Sequence, residues 1–191
     1  MKQRKLDQPG AIPGLKSVVL QLSADQLKTF FPILQKGITV PAITGCTLKS
    51  LLCDQFAIPS DYVTDRITTV FLDNCPVDDL DRAIVQDGSR VTLSAAMPGL
   101  VGATMRRGGF YAALRQGISH VLENKASGGQ SGTVRIKLFN LLLAELGPLV
   151  LARGLIPDHG ELNDLRQIFP GLPEDSPGRT GQILLTALFR E

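Results

Sequence analysis

The sequence predicts an α+β protein, and three stretches carry that expectation. Residues 67–72 (ITTVFL) and 90–94 (RVTLS) are rich in β-branched and aromatic side chains, which suit a pleated, half-buried surface. Residues 48–56 set Leu48, Leu51, Leu52 and Phe56 at i, i+3, i+4 and i+8, one apolar helical stripe turned toward a sheet. Beyond Gly109 the apolar residues fall mostly at helical spacing.

Residues 1–16 carry charge, two prolines and two glycines with little to bury, and read as a mobile arm. A first strand is expected at 17–22. Ser23 then caps a helical turn, with Gln26 at the capping-box position. Gly37 marks a turn, and residues 38–40 form a second strand that Pro41 stops. Thr44 or Thr47 caps the helix at 48–55. The strand at 67–72 turns at Asp73 and Asn74. Residues 77–85 form a short crossover with Asp78, Asp79 and Asp81 beside a half-buried apolar face. Asp87 and Gly88 make the tight turn before the strand at 90–94, and the chain leaves through Pro98 and Gly99.

Strand, turn, strand, helix, strand, crossover, strand is the order of a β-grasp domain. Three segments, Thr44 to Leu52, Val70 to Val77 and Val85 to Leu93, resemble the MoaD/ThiS family of ubiquitin-like sulfur carriers. The first matches that family's helix opening, the second its central strand and turn, and the third its acidic-Gly turn before the last strand. The resemblance implies a ubiquitin-like β-grasp domain over 17–109, followed by a mainly helical region over 110–191.

Within that region, Phe110, Ala113, Leu114, Ile118, Val121 and Leu122 sit at helical spacing, and a Gly/Ser linker is expected at 125–132. Residues 133–146 read as mostly helical, ending at Gly147 with Pro148 opening the next helix. Their charged-apolar alternation leaves a strand at 134–138 as the alternative. An amphipathic helix is expected over 158–169 and a final helix over 182–189.

At 191 residues with 43% hydrophobic and 20% charged content, the chain can bury a core. A formal net charge of +2 argues against nucleic acid or an anionic membrane as partner, and no apolar run reaches the length of a membrane span. Cys46, Cys53 and Cys75 make an odd count without CxxC spacing. With no signal peptide, they point to a reducing, cytoplasmic compartment and to thiols that act as small buried hydrophobes. His120 and His159 have no second ligand three or four residues away, so neither a metal site nor a cofactor is expected. The aspartates at 78, 79 and 81 read as capping or solvating groups, and no catalytic residue is assigned.

The segment that draws functional interest runs from Met97 through Arg106, Arg107, Gly108 and Gly109. In the family it resembles, the last strand leads to a Gly-Gly tail whose carboxylate a partner enzyme adenylates and converts to a thiocarboxylate. Here the chain continues past Gly109. The leading expectation is therefore a non-enzymatic interaction protein that contacts a protein partner through this segment. By resemblance, that partner would be an adenylating or sulfur-transfer enzyme. Arg106, Arg107 and the two glycine amides also suit an anion. Two alternatives stand beside this: a carrier precursor cut after Gly109, and a small-ligand binder or enzyme with a pocket between sheet and C-terminal helices. The apolar C-terminal helices add a homo-oligomer interface as an expectation.

Overall fold

A computed structural model describes residues 15–115, 117–120, 129–173 and 183–190. The described chain opens with strand β1 (Lys16–Ser23), then a 3-10 turn (Ala24–Phe30) and α1 (Phe31–Lys36). The capping box forms as expected, with the Ser23 amide donating to Gln26 Oε1 at 3.0 Å. β2 (Ile38–Thr44) and β3 (Cys46–Thr47) follow, then a helical segment that is α-wound over α2 (Leu48–Ser50) and π-wound over Leu51–Gln55. Thr47 caps it, its hydroxyl accepting from the Ser50 amide. Next come α3 (Ser60–Asp65), β4 (Thr69–Leu72), β5 (Cys75–Pro76), β6 (Ile84–Val85), β7 (Arg90–Ser94) and α4 (Gly99–Met105). After a 3-10 turn (Phe110–Arg115) the chain forms β8 (Gln130–Phe139), α5 (Leu142–Ala152), α6 (His159–Ile168) and β9 (Ile183–Arg190).

The protein is a mixed α and β structure around a five-stranded mixed sheet in the order β2-β8-β7-β4-β5. β8 runs antiparallel to β2 and parallel to β7, while β4 is antiparallel to both β7 and β5. Val70 pairs with Leu93 and Leu72 with Val91, so the two strongest predicted strands are neighbours. Leu48, Leu51 and Leu52 are buried in the core that also holds Val70, Leu72 and Leu93, as the apolar stripe predicts.

Several sequence expectations change. The strand at 17–22 forms, but outside this sheet: β1 pairs in parallel with β9 in a separate two-stranded sheet. The segment expected as a final helix over 182–189 instead supplies that partner strand, Ile183–Arg190, with Leu155 bridged to Leu185 on the far edge of β9. A run of eight mostly apolar residues satisfies either period, and the open edge of β1 decides it. Residues 133–139, favoured as helix, form β8. Val134, Ile136 and Leu138 are buried while Arg135 and Lys137 remain half-buried, the two-residue period of a strand. Asn140 at φ +57° ends β8, its side-chain amide donating to Ser94 Oγ and to the Ala96 carbonyl.

Pro148 opens no new helix and lies inside α5. Gly147 is no terminator either. It allows close approach, since a Cβ there would sit 3.2 Å from Leu34 Cδ1 on α1. α5 packs against both β8 and β9, which explains why it is apolar nearly all round.

Pro41 does not stop β2. Its missing N–H falls on the outer edge, where Ile156 N donates to Thr39 O, Arg153 Nε to Pro41 O, and the Gln55 side chain pairs with both N and O of Ile43.

The sheet therefore crosses the boundary expected at Gly109, with β8 lying between β2 and β7. One buried cluster runs from Leu22 to Ala187. α6 is tied to β8 through Glu161, which completes a capping box with Asp158 and accepts from Arg135 Nη2 at 2.7 Å. Of the linker expected at 125–132, residues 125–128 lie outside the described residues, and Gln130–Gly132 begin β8. The helix expected from Phe110 is described as a 3-10 turn ending at Arg115; residues 121–128 lie outside the described residues.

Candidate interaction site

β7 delivers the chain to the sheet's end, where Ser94 Oγ donates to Ala96 O and Pro98 precedes α4. α4 folds back on Met97 so closely that a Cβ on Gly102 would lie 1.9 Å from the Met97 carbonyl oxygen. Only glycine tolerates that approach. The helix ends at Met105 with Arg106 as its cap, Gly108 turns the chain at φ +62°, and the 3-10 turn from Phe110 packs against α4.

Asp78 anchors this unit to the sheet. Its Oδ1 accepts from the Gly108 amide at 3.1 Å and from Arg115 Nη2 at 2.7 Å. Arg115 is buried, and its remaining donors reach Thr104 O and Ser119 Oγ. A second arginine holds the opposite side. The Arg107 amide donates to Thr68 O, and its Nη2 to the Val63 and Thr64 carbonyls at the end of α3. Burial lowers the Arg107 pKa, with the nearby Asp78 charge opposing the shift.

The five residues singled out by sequence thus have different fates. Arg106 is exposed and Met97 half-buried. Arg107 is committed to backbone carbonyls. The Gly108 amide bonds Asp78 and the Gly109 amide bonds Arg106 O, so the pair of amides expected to hold an anion already has partners within the protein.

The unit leaves several large apolar side chains open to solvent. Phe110 is 91% exposed, Leu114 74%, Leu100 71% and Val101 61%, with Ile118 and Tyr111 also open to solvent. Phe110 and Tyr111 pack edge to face at 5.1 Å, covering little of either. Such a concentration of exposed large side chains marks interaction surfaces.

Beside this surface lies an open cleft of about 440 Å³. One wall comes from Pro76, Val77, Asp78 and Asp79, the other from Ala112, Ala113, Ser119 and His120. The His120 amide donates to Pro76 O, joining two residues that line the cleft, while its Nδ1 is buried with no hydrogen-bond partner among the described residues. Asp78, Arg115 and the cleft escape sequence reading because Asp78 and Arg115 are 37 positions apart. Asp78 looks like one more solvated carboxylate in an acidic run, and Arg115 like the polar face of a helix.

Compared with known proteins, the chain matches no family model, no curated protein and no solved structure. Its chemistry is read from its own residues. The three cysteines are free, and burial raises the Cys46 and Cys53 thiols, which keeps them protonated and weak as nucleophiles. Among the described residues no cluster of histidine, cysteine and acidic side chains has the makings of a metal site. Among them too, no helix is long and apolar enough to cross a membrane.

Proposed function

We propose that this chain is a non-enzymatic protein-interaction module built on a β-grasp sheet of altered strand order, docking its partner on α4 and the following 3-10 turn. The observation that carries the docking reading is the grouping of Leu100, Val101, Phe110 and Leu114, each more than half exposed, on two short elements packed together.

The sheet supports the β-grasp part. That fold sets its first strand at the centre, antiparallel to a hairpin partner and parallel to the last strand, with a helix across one face. Here β8 runs between antiparallel β2 and parallel β7, and the helical segment at 48–55 follows β2. The central strand is drawn from late in the chain instead of its start. Seen this way, the resemblance to MoaD/ThiS carriers makes an adenylating or sulfur-transfer enzyme the partner class. Carrier chemistry itself needs a free glycine carboxylate, and a cut after Gly109 would sever β8 from the strands on either side of it. Docking without transfer is the reading this favours.

The test uses the tagged full chain recovered from its native host. A stoichiometric partner is expected with the natural sequence and with Leu188→Ser at a separate exposed position. It is expected to be lost in Phe110→Ser/Leu114→Ser, with an unchanged melting temperature. Recovery of the chain alone, or retention of the partner by the double variant, defeats the docking reading. A species of intact mass ending at Gly109 would instead favour the carrier precursor.

A further inference from the structure

Three carboxylates, Asp78, Asp79 and Asp81, cluster after β5, and the structure treats them differently. Asp78 is neutralised by buried Arg115 at 2.7 Å, and Asp81 by Lys49 at 3.0 Å. Asp79 has no cationic partner among the described residues. Its Oδ1 accepts only the Asp81 amide, at 3.0 Å. It also lines the cleft, together with Pro76, Val77, Ala112 and Ala113, and no cation among the described residues pairs with it there. A cleft that sets apolar residues beside a carboxylate without a cationic partner among the described residues is complementary to an aliphatic stem ending in a cation. Ala112 and Ala113 belong to the same turn as Phe110 and Leu114, so the cleft opens beside the apolar docking surface.

We infer that the cleft receives a lysine or arginine side chain from the docked protein, its head against Asp79 and its methylene stem along Ala112 and Ala113, while flanking apolar residues of that partner lie on Phe110 and Leu114. This rests on the docking reading above and adds the partner's recognition chemistry to it: a basic residue set between large apolar ones. The apolar surface supplies most of the contact, and Asp79 selects the register.

The test uses the full chain and four defined probes, read by amide NMR shifts at Asp79, Ala112, Ser119 and His120. n-Butylammonium is expected to shift these amides saturably, whereas neutral n-pentanol is not. The capped tripeptide acetyl-leucyl-lysyl-leucine amide is expected to bind more tightly than n-butylammonium. Its norleucine counterpart is expected to bind about threefold to fivefold more weakly than the lysyl peptide, the contribution of a half-exposed ion pair. Asp79→Asn should abolish the difference between the lysyl and norleucyl peptides, and Leu114→Ser should weaken both peptides without changing n-butylammonium binding. Equal shifts with n-pentanol, or an unchanged response in Asp79→Asn, overturn the inference. So does a lysyl peptide no tighter than n-butylammonium, which would make the occupant a free small amine. Because n-butylammonium reads the cleft alone, a failed docking surface and a failed cleft give different patterns.

Discussion

Replacing Asp78 by alanine isolates the contact that fastens the interaction unit to the sheet. The Arg115 side chain is 2% exposed, whereas that of Asp78 is 45% exposed. Removing the carboxylate strands a buried guanidinium with only Thr104 O and Ser119 Oγ as acceptors, and it frees the Gly108 amide. Breaking one side of a fully buried pair costs about 3–5 kcal/mol, and an exposed pair contributes about 0.2–1 kcal/mol. Because Asp78 is open on one side, water can take part of its place, and a loss of about 2 kcal/mol is expected. For a chain of this length that corresponds to a fall in melting temperature of about 4–8 °C. Urea denaturation with a constant m-value gives the free energy directly. Asp81→Ala supplies the internal scale. It breaks the Lys49–Asp81 pair, whose side chains are 45% and 67% exposed, and should cost less than about 1 kcal/mol. Asp78→Ala/Arg115→Met removes the stranded charge as well and should recover about half of the loss. If Asp78→Ala destabilises no more than Asp81→Ala, or the double variant is no better than Asp78→Ala, then desolvation of Arg115 is not what makes this contact matter.

Two further outcomes follow from other parts of the fold. Glu145 accepts from Arg66 at 3.0 and 2.5 Å and from the Tyr62 hydroxyl, and these bonds, Arg66 first, hold its carboxyl at about 2, below the ordinary 4.5. A depressed folded-state value contributes stability that is complete above 4.5 and is lost as pH falls toward 2. The urea midpoint should therefore drop across that window in the natural protein and drop less steeply in Glu145→Gln; parallel profiles would remove the carboxylate as the cause. At the outer edge of β2, Gln55→Ala/Arg153→Ala exposes the Ile43 amide and carbonyl and the Pro41 carbonyl. Sedimentation velocity should then show concentration-dependent self-association of the double variant, and a variant as monodisperse as the natural chain would show that these side chains do not guard the edge.

Local chemistry was legible wherever a residue's neighbours in sequence are also its neighbours in space. Ser23 with Gln26, Thr47 with Ser50 and Asp158 with Glu161 build their caps within one turn, and the β-branched and aromatic residues around Val70 and Val91 suit a strand. Asp73 and Asn74, at φ +51° and +68°, take the turn that their side chains favour. The apolar stripe at Leu48, Leu51 and Leu52 likewise announced its helix and its buried face.

Tertiary structure decided the rest, because partners far along the chain supplied hydrogen bonds that no local pattern encodes. Residues 183–190 become a strand only beside β1, and Gln130–Phe139 only between β2 and β7, since an open sheet edge satisfies backbone groups that a short apolar run could equally have satisfied within itself. The candidate site is of the same kind. Met97, Arg106, Arg107, Gly108 and Gly109 were visible as a basic, glycine-rich stretch. The exposure of Phe110 and Leu114, the burial of Arg115 and the charge of Asp79, unpaired among the described residues, arise only when residues 76–79 meet the turn at 110–115. Sequence by itself determined which segments could form elements. The pairing of distant edges and charges determined which elements they became and where a partner could bind.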